Sequence, residues 1–227
     1  MSLDNRTVLV IGRNGGIARS VVLAVRAAGG DVVLAGRSVT GIGAEYVDLT
    51  DEDSIAALAS RFTHVDHVVS TASARARGAV PDLDHATVLA SFNVKVLGAM
   101  FLAKHFAPRM ATDGSFVFFS GSSARKPTAG MLAVGATNGA VNVLTQGLAV
   151  ELAPIRVNAI SPGVIDTGAY DALGPERKSA LFESRSATNP VRRIGTSDDI
   201  ASAVLFALTN TFLTGATLNV DGGDPLA

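Results

Sequence analysis

The chain contains no cysteine and no tryptophan, and it has two tyrosines and four histidines. Without cysteine there can be no disulfide framework, no thiolate metal site and no cysteine nucleophile. Aromatic residues make up 5% of the chain, too few for a base-stacking surface of the kind that binds single-stranded nucleic acid. An excess of either charge is also missing, because 19 Lys and Arg against 20 Asp and Glu leave a net charge of −1. Neither nucleic acid nor an anionic membrane surface is therefore an expected partner. No uninterrupted apolar run reaches the roughly 18 residues of a membrane span. The polar segment 1–6 lacks the charged start and long apolar middle of a signal peptide, so a cytoplasmic location is the expectation. The histidines have no carboxylates at ligand spacing, and no metal is expected.

What is present is a core. Of 227 residues, 48% are hydrophobic and 17% charged, which excludes global disorder and allows substantial burial. No linker, repeat or low-complexity tract interrupts the chain, so residues 1–227 are read as one domain. Short apolar runs at 7–11, 31–35, 44–47, 65–70, 115–120, 155–160 and 217–220 read as seven strands. They alternate with helical periods at 16–28, 51–62, 84–110, 132–153, 175–186 and 197–208. Thr50 is the expected N-cap of the second helix. On the long helix, Val88, Leu89, Phe92, Val96, Met100 and Ala103 form the expected core stripe. Alternating strands and helices with near-continuous apolar strands predict an α/β fold, a doubly wound parallel sheet with helices on both faces.

The first strand runs into Gly12-Arg13-Asn14-Gly15-Gly16-Ile17-Ala18. Gly12 permits a tight turn, Gly15 or Gly16 lets backbone approach a pyrophosphate at a helix N-terminus, and Ala18 is small enough for helix–strand packing. The second strand ends in Gly36-Arg37-Ser38. An acid there would bind the ribose hydroxyls of NAD, whereas Arg37 presents a planar cation to a 2′-phosphate. With Arg13 closing the other side, the pair favours NADP(H). The plainer reading of Arg37 is a solvated surface arginine. Asp48 is a candidate acceptor for the adenine amino group, or a turn residue ahead of a helix.

These residues, with Asn93, Asn158, Pro162-Gly163, Thr167 and Asp221-Gly222-Gly223, resemble the short-chain dehydrogenase/reductase family. The segments "VLVIGRNGGIA", "AVELAPIRVNAISPGVIDT" and "FLTGATLNVDGG" match that family's recurring segments in order and spacing. The resemblance implies a Rossmann-type, seven-stranded parallel sheet, a homodimer or homotetramer, and a substrate loop at about 168–193. It also implies that 163–167 lies against the nicotinamide, with Thr167 bonding cofactor oxygens. The cofactor-binding set it implies is Gly12, Arg13, Asn14, Gly16, Ile17, Arg37, Ser38, Asp48, Leu49, Ala72, Asn138, Pro162, Gly163, Ile165 and Thr167. The Asn-Asn-Ala-Gly of the family reads Ser70-Thr71-Ala72-Ser73 here, and only Ala72 matches.

The family's chemistry uses Ser, Tyr and Lys with a supporting Asn, the Tyr and Lys one helical turn apart. The matching positions here are Val134 and Asn138. Valine exchanges no proton, and asparagine bonds hydroxyls without carrying charge. The serine position falls near Gly121, with Ser122 the best candidate beside Ser120 and Ser123, or else a plain loop serine. Asn93 stands as the supporting Asn, or as a structural polar residue. Ser122, Asn93 and Asn138 are thus the expected catalytic set. Tyr46 is expected near the adenosine side. Tyr170, in the substrate loop, could swing inward, and Lys126 could replace the lost cation if its loop folds back. Arg75 and Arg77 read as a solvated loop rather than an anion clamp. The leading expectation is an NADP(H)-dependent oxidoreductase acting on a small carbonyl, alcohol or imine-like substrate through an atypical site. The alternatives are an NADP(H)-binding sensor or structural subunit without redox activity, and a non-redox enzyme on the same scaffold.

Overall fold

The strands in chain order are β1 (Thr7–Ile11), β2 (Asp31–Ala35), β3 (Val65–Ser70), β4 (Met110–Phe119), β5 (Arg156–Pro162), β6 (Ile165–Asp166), β7 (Gly195–Thr196) and β8 (Thr217–Val220). The helices are α1 (Gly16–Ala27), α2 (Glu52–Ser60), α3 (His85–Phe92), α4 (Gly98–Phe106), α5 (Leu132–Glu151), α6 (Pro175–Thr188) and α7 (Ser197–Thr209). This computed structural model describes residues 2–41 and 43–227; Met1 and Ile42, which fall within the expected domain, lie outside the described residues. The main sheet is parallel with six strands in the order β2-β1-β3-β4-β5-β8, and β6 pairs with β7 separately.

The expectation of seven strands is corrected to six by the segment 44–47. It makes only an isolated bridge, Ala35 to Glu45, closed by Glu45 N–H to the Leu34 carbonyl at 2.9 Å and Gly36 N–H to the Glu45 carbonyl at 3.0 Å. Gly41 and Gly43, at φ 124° and 76°, bend the chain into that single contact. Asp48 then turns it away, its carboxylate accepting from the Thr50 N–H at 2.9 Å and hydroxyl at 2.8 Å. Thr50 is therefore not the N-cap of α2. Asp51 is, accepting from the Asp53 N–H at 3.0 Å.

Side chains alternate between two cores, as the pleat requires. Leu9, Ile11, Phe116, Phe118, Val157 and Ala159 face α2, α4 and α5. Val8, Val10, Val69, Val117, Phe119 and Ile160 face α1 and α7. Arg156 is buried and donates to the Ala207, Leu208 and Asn210 carbonyls at 2.8, 2.7 and 2.9 Å. It thereby satisfies the open C-terminal carbonyls of α7. Buried His67 sits with Nδ1 2.9 Å from the Ser115 hydroxyl, and burial followed by the Arg156 charge holds it down to about 4, so it is neutral and structural.

The expected helix at 84–110 is interrupted. Between α3 and α4 the backbone widens into π turns over Asn93–Leu97. That extra residue per turn rotates the buried stripe, which is Ser91, Lys95, Gly98, Ala99, Leu102, Ala103 and Phe106, while Leu89 and Met100 are exposed. The whole stretch His85–Arg109 is long and apolar enough, at a mean hydropathy of 1.6, to cross a membrane. In the fold its apolar side chains supply part of the α2–α4–α5 core.

The chain runs outward from β1 to β2 and then returns to β3 on the other side of β1. The crevice at the carboxyl ends of β1 and β3 is thus the switch point where ligands of such sheets bind. Phe116, with no exposed surface, sits at the centre of the core. Replacing Phe116 by Ala is expected to destabilise the fold by about 3–5 kcal/mol, read from denaturant midpoints; a loss below about 1 kcal/mol would contradict this core assignment.

Candidate active site

The loop leaving β1 is shaped by contact. A Cβ on Gly12 would lie 2.4 Å from the Thr71 hydroxyl and 2.8 Å from the Ala18 methyl, so only glycine lets the turn close against β3 and α1. Gly16 adopts φ 54°, and a side chain there would meet the Thr167 carbonyl at 3.1 Å. At Gly15 a side chain would meet nothing within 4 Å, so the backbone stands open to the crevice. The first turn of α1 has neither a capping side chain nor an acidic residue. Its free N–H groups and positive dipole end therefore fit an anion such as a pyrophosphate.

This loop borders a cavity of about 540 Å³ lined by Gly12, Arg13, Gly16, Ile17, Arg37, Ser38, Asp48, Leu49, Ala72 and Thr167. Most of the expected dinucleotide residues are therefore brought together. Asn14 is not among them, because its amide turns outward and donates to the Thr40 carbonyl at 3.0 Å. Arg37 is 67% exposed and 3.9 Å from the Asp48 carboxylate, so its guanidinium is open to a ligand. Burial opposes ionisation of Asp48, but the Thr50 amide and hydroxyl and the Arg37 charge outweigh it and hold the carboxyl below its usual range.

A second cavity of about 490 Å³ adjoins the first through Ile17, Thr71, Ser73, Arg75, Thr167 and Ala169. Ser122, Val134, Asn138, Pro162, Gly163 and Ile165 line it as expected, and Lys95, Ser123, Arg75 and Arg77 join them. Asn93 borders neither cavity. On this stretch it is Lys95, two positions on, that the π turn brings to the cavity wall. Its ammonium donates to the Asn138 side-chain oxygen and, at 3.3 Å, to the Ser120 carbonyl. The Asn138 amide donates to the Ser123 hydroxyl at 2.8 Å, and the Ser120 hydroxyl donates to the Asn138 carbonyl at 2.9 Å. Asn138 is therefore first a bridge between Lys95 and Ser123. A Cβ on Gly121 would lie 2.7 Å from the Asn138 amide nitrogen, so a side chain at 121 would require the Asn138 amide to shift.

Two other candidate groups, Lys126 and Tyr170, also line this cavity, whereas Tyr46 and Asp166 do not. Lys126 donates to the Asp224 carbonyl at 2.7 Å and the Ala227 carbonyl at 3.1 Å, pinning it to the chain's last turn. Tyr170 reaches the cavity wall, its ring edge-on to Phe182 at 5.7 Å. Tyr46 borders neither cavity and is exposed. Asp166 pairs with Lys178 at 2.9 Å. Arg75 and Arg77, read as a solvated loop, stand on the cavity wall, and neither has a carboxylate partner among the described residues.

Lys95 is the functional-type residue that the sequence reading passed over. The available signal was a lone lysine inside the apolar run Asn93-Val94-Lys95-Val96-Leu97. It is 8% exposed. Burial, with the Arg75 charge second, pulls the ammonium down to about 7. Between that value and an unfolded value near 10.4, the unfolded chain binds more protons, so stability rises with pH across that window. Below it the full cost of burying the cation is present. Lys95→Met is therefore expected to stabilise the ligand-free protein by a few kcal/mol (about 1.4 per pKa unit) at pH 6–7, with the gain shrinking towards pH 10. Thermal unfolding across that range checks it, and a pH-independent difference would contradict a desolvated cation at this position.

A family model described as enoyl-(acyl carrier protein) reductase matches residues 11–224. The short-chain dehydrogenase/reductase ucsE of Acremonium sp is 36% identical over 59% of this chain, and the match spans about half, 52%, of that relative's length. The L-xylulose reductase of Mus musculus is 29% identical over 98% of each chain. Among solved structures, a small-chain dehydrogenase in complex with NADPH superposes with a TM-score of 0.91 at 33% identity, over 99% of this chain and 100% of that one. Taken with the glycine loop at the switch point, these matches establish that the chain belongs to the short-chain dehydrogenase/reductase family, whose members use nicotinamide cofactors.

Proposed function

We propose that this protein is an NADP(H)-dependent oxidoreductase acting on a small carbonyl or alcohol substrate through an atypical active site. The observation that carries the cofactor choice is the wall beside β2. Arg13 and Arg37 both line it, and the one carboxylate lining that cavity among the described residues, Asp48, is already bonded by Thr50. Two guanidinium groups suit a 2′-phosphate, for which an acid in the same place would be repulsive. The similarity to a dehydrogenase crystallised with NADPH supports the same choice. When bound, a nicotinamide cofactor supplies hydride transfer. The α1 N-terminus and Gly15 would hold the pyrophosphate, and Pro162 to Thr167 would close over the reactive end. Ser122 borders the cavity, and in this reading its hydroxyl orients the substrate oxygen. Asn138 holds the neighbouring groups in place. Asn93, facing neither cavity, has no part in this reading.

Val134, in the position where the family carries its tyrosine, favours a second reading. In it the protein binds NADP(H) as a sensor or structural subunit and turns nothing over. Loss of NADPH absorbance with a panel of small aldehydes and ketones supports the first reading; binding without any loss supports the second. Fluorescence titration is expected to show tighter binding of NADPH than of NADH, with Arg37→Ala weakening NADPH alone by roughly tenfold or more. Equal affinities in the wild type would overturn the phosphate assignment.

The same reading includes a homodimer or homotetramer joined along α4 and α5. Exposed Met100 on α4, with exposed Leu97 in the π turn before it, and exposed Val143 and Val150 on α5 support it by leaving apolar side chains on both helices. Light scattering is expected to give a multiple of the 23.2 kDa chain mass; a single chain mass at micromolar concentration would overturn it.

A further inference from the structure

We propose that Lys95 is the proton donor to the substrate oxygen, the ionisable group that Val134 cannot be. The proposal rests on the oxidoreductase reading above and adds the residue that would complete it. Its basis is position. Lys95 projects from the π-widened turn into the substrate-side cavity, where Ser122, Val134 and Asn138 form the adjoining wall. Its side chain is buried, yet its contacts are the neutral oxygens of Asn138 and Ser120. No carboxylate pairs with it among the described residues. An ammonium has three N–H donors, so one remains for a ligand in the cavity.

The surroundings explain why this amine is suited to exchange a proton. Arg75 and Arg77 come from the loop after β3, Lys126 from the loop after β4, Tyr170 and Arg185 from the stretch around α6, and Asp224 from the chain's end. Asp224 is the only acid on this wall among the described residues. It is already shared by Lys126 and Arg185, at 3.3 and 3.6 Å, so it offers Lys95 no counter-charge. Burial and the Arg75 charge bring the ammonium down to about 7, where both protonation states are populated at neutral pH. A buried lysine paired with a carboxylate would stay charged and be a poor donor.

In the reductive direction a bound reduced nicotinamide would supply hydride to the carbonyl carbon, and the part of Lys95 is to release a proton, its ammonium N–H bond breaking as the alcohol O–H bond forms. The neutral amine then regains a proton from water in the open cavity. In the oxidative direction the neutral amine accepts the alcohol proton. Reduction is therefore expected to slow as pH rises through about 7, and oxidation to quicken.

Two measurements test the proposal. The first uses the full-length, cofactor-free protein: acetic anhydride labelling from pH 5 to 10, read by peptide mass spectrometry with exposed Lys104 as reference. Lys95 labelling is expected to reach half its plateau near pH 7. A midpoint above about 9, towards the ordinary lysine value, or no labelling at any pH, overturns the proposal. The second compares Lys95→Arg and Lys95→Met with the wild type in NADPH binding and in NADPH-driven reduction of the carbonyl panel. Arginine keeps the charge but releases no proton. Both variants are expected to bind NADPH within about threefold of wild type (under 0.7 kcal/mol) and to lose roughly 10²-fold or more in turnover, with the limb near pH 7 gone. Wild-type rates in Lys95→Arg overturn the proposal. Failure of the wild type to bind NADPH would instead overturn the oxidoreductase reading, and the labelling result on the free protein would stand apart from it.

Discussion

A sheet whose strands all run one way must bury both faces, since each return crosses over one of them as a helix. That constraint accounts for most of this chain. It demands strands apolar on alternate sides, met by Leu9 and Ile11 towards α4 and α5 and by Val8 and Val10 towards α1 and α7. It also brings the carboxyl ends of the strands to one edge, where the glycine loop, the end of β2 and the stretch after β6 meet across a crevice. Backbone N–H groups of α1 are left uncapped there because the crevice, rather than a side chain, is what they face. Fold and binding site are in this sense one solution to one packing problem.

Within that frame the substrate side departs from a simple electrostatic pattern. A buried cation is ordinarily paired, because removing it from water costs several kcal/mol. Lys95 has only neutral oxygens for partners, and Arg75 adds repulsion. The cost falls where the chain is already irregular, at the π turns between α3 and α4, and such local departures from regular packing collect at functional positions. The carboxylates nearby are bound to other cations, Asp221 to Arg125 and Asp224 to Lys126.

Much of this was legible in the sequence. The alternating periods gave the parallel sheet, and Gly12 to Ala18 with Arg37 gave a dinucleotide crevice whose lining residues lie together. What escaped reading has identifiable physical causes. The run at 44–47 has strand composition, but flanking glycines and the Asp48–Thr50 turn leave room for one bridge. The stripe on 84–110 was read at 3.6 residues per turn, and a π turn changes that period locally, so Lys95 rather than Val96 or Met100 points inward. Asn93 fits the supporting Asn of the resemblance by its place on the helix and its Asn-x-x-x-x-Gly spacing to Gly98, yet it is the side chain two positions on that reaches the cavity. Commitments such as Lys126 to the Asp224 and Ala227 carbonyls depend on contacts about a hundred positions apart along the chain, which no local pattern encodes.

The close approach of Gly121 to Asn138 bears on how substitutions around this cavity would combine. Positions 95, 121 and 138 are linked by contact: a side chain at 121 would displace the Asn138 amide, whose oxygen accepts from Lys95 and whose nitrogen donates to Ser123. Neighbours in one hydrogen-bond network couple, so the effects of substitutions at 95, 121 and 138 are not expected to add.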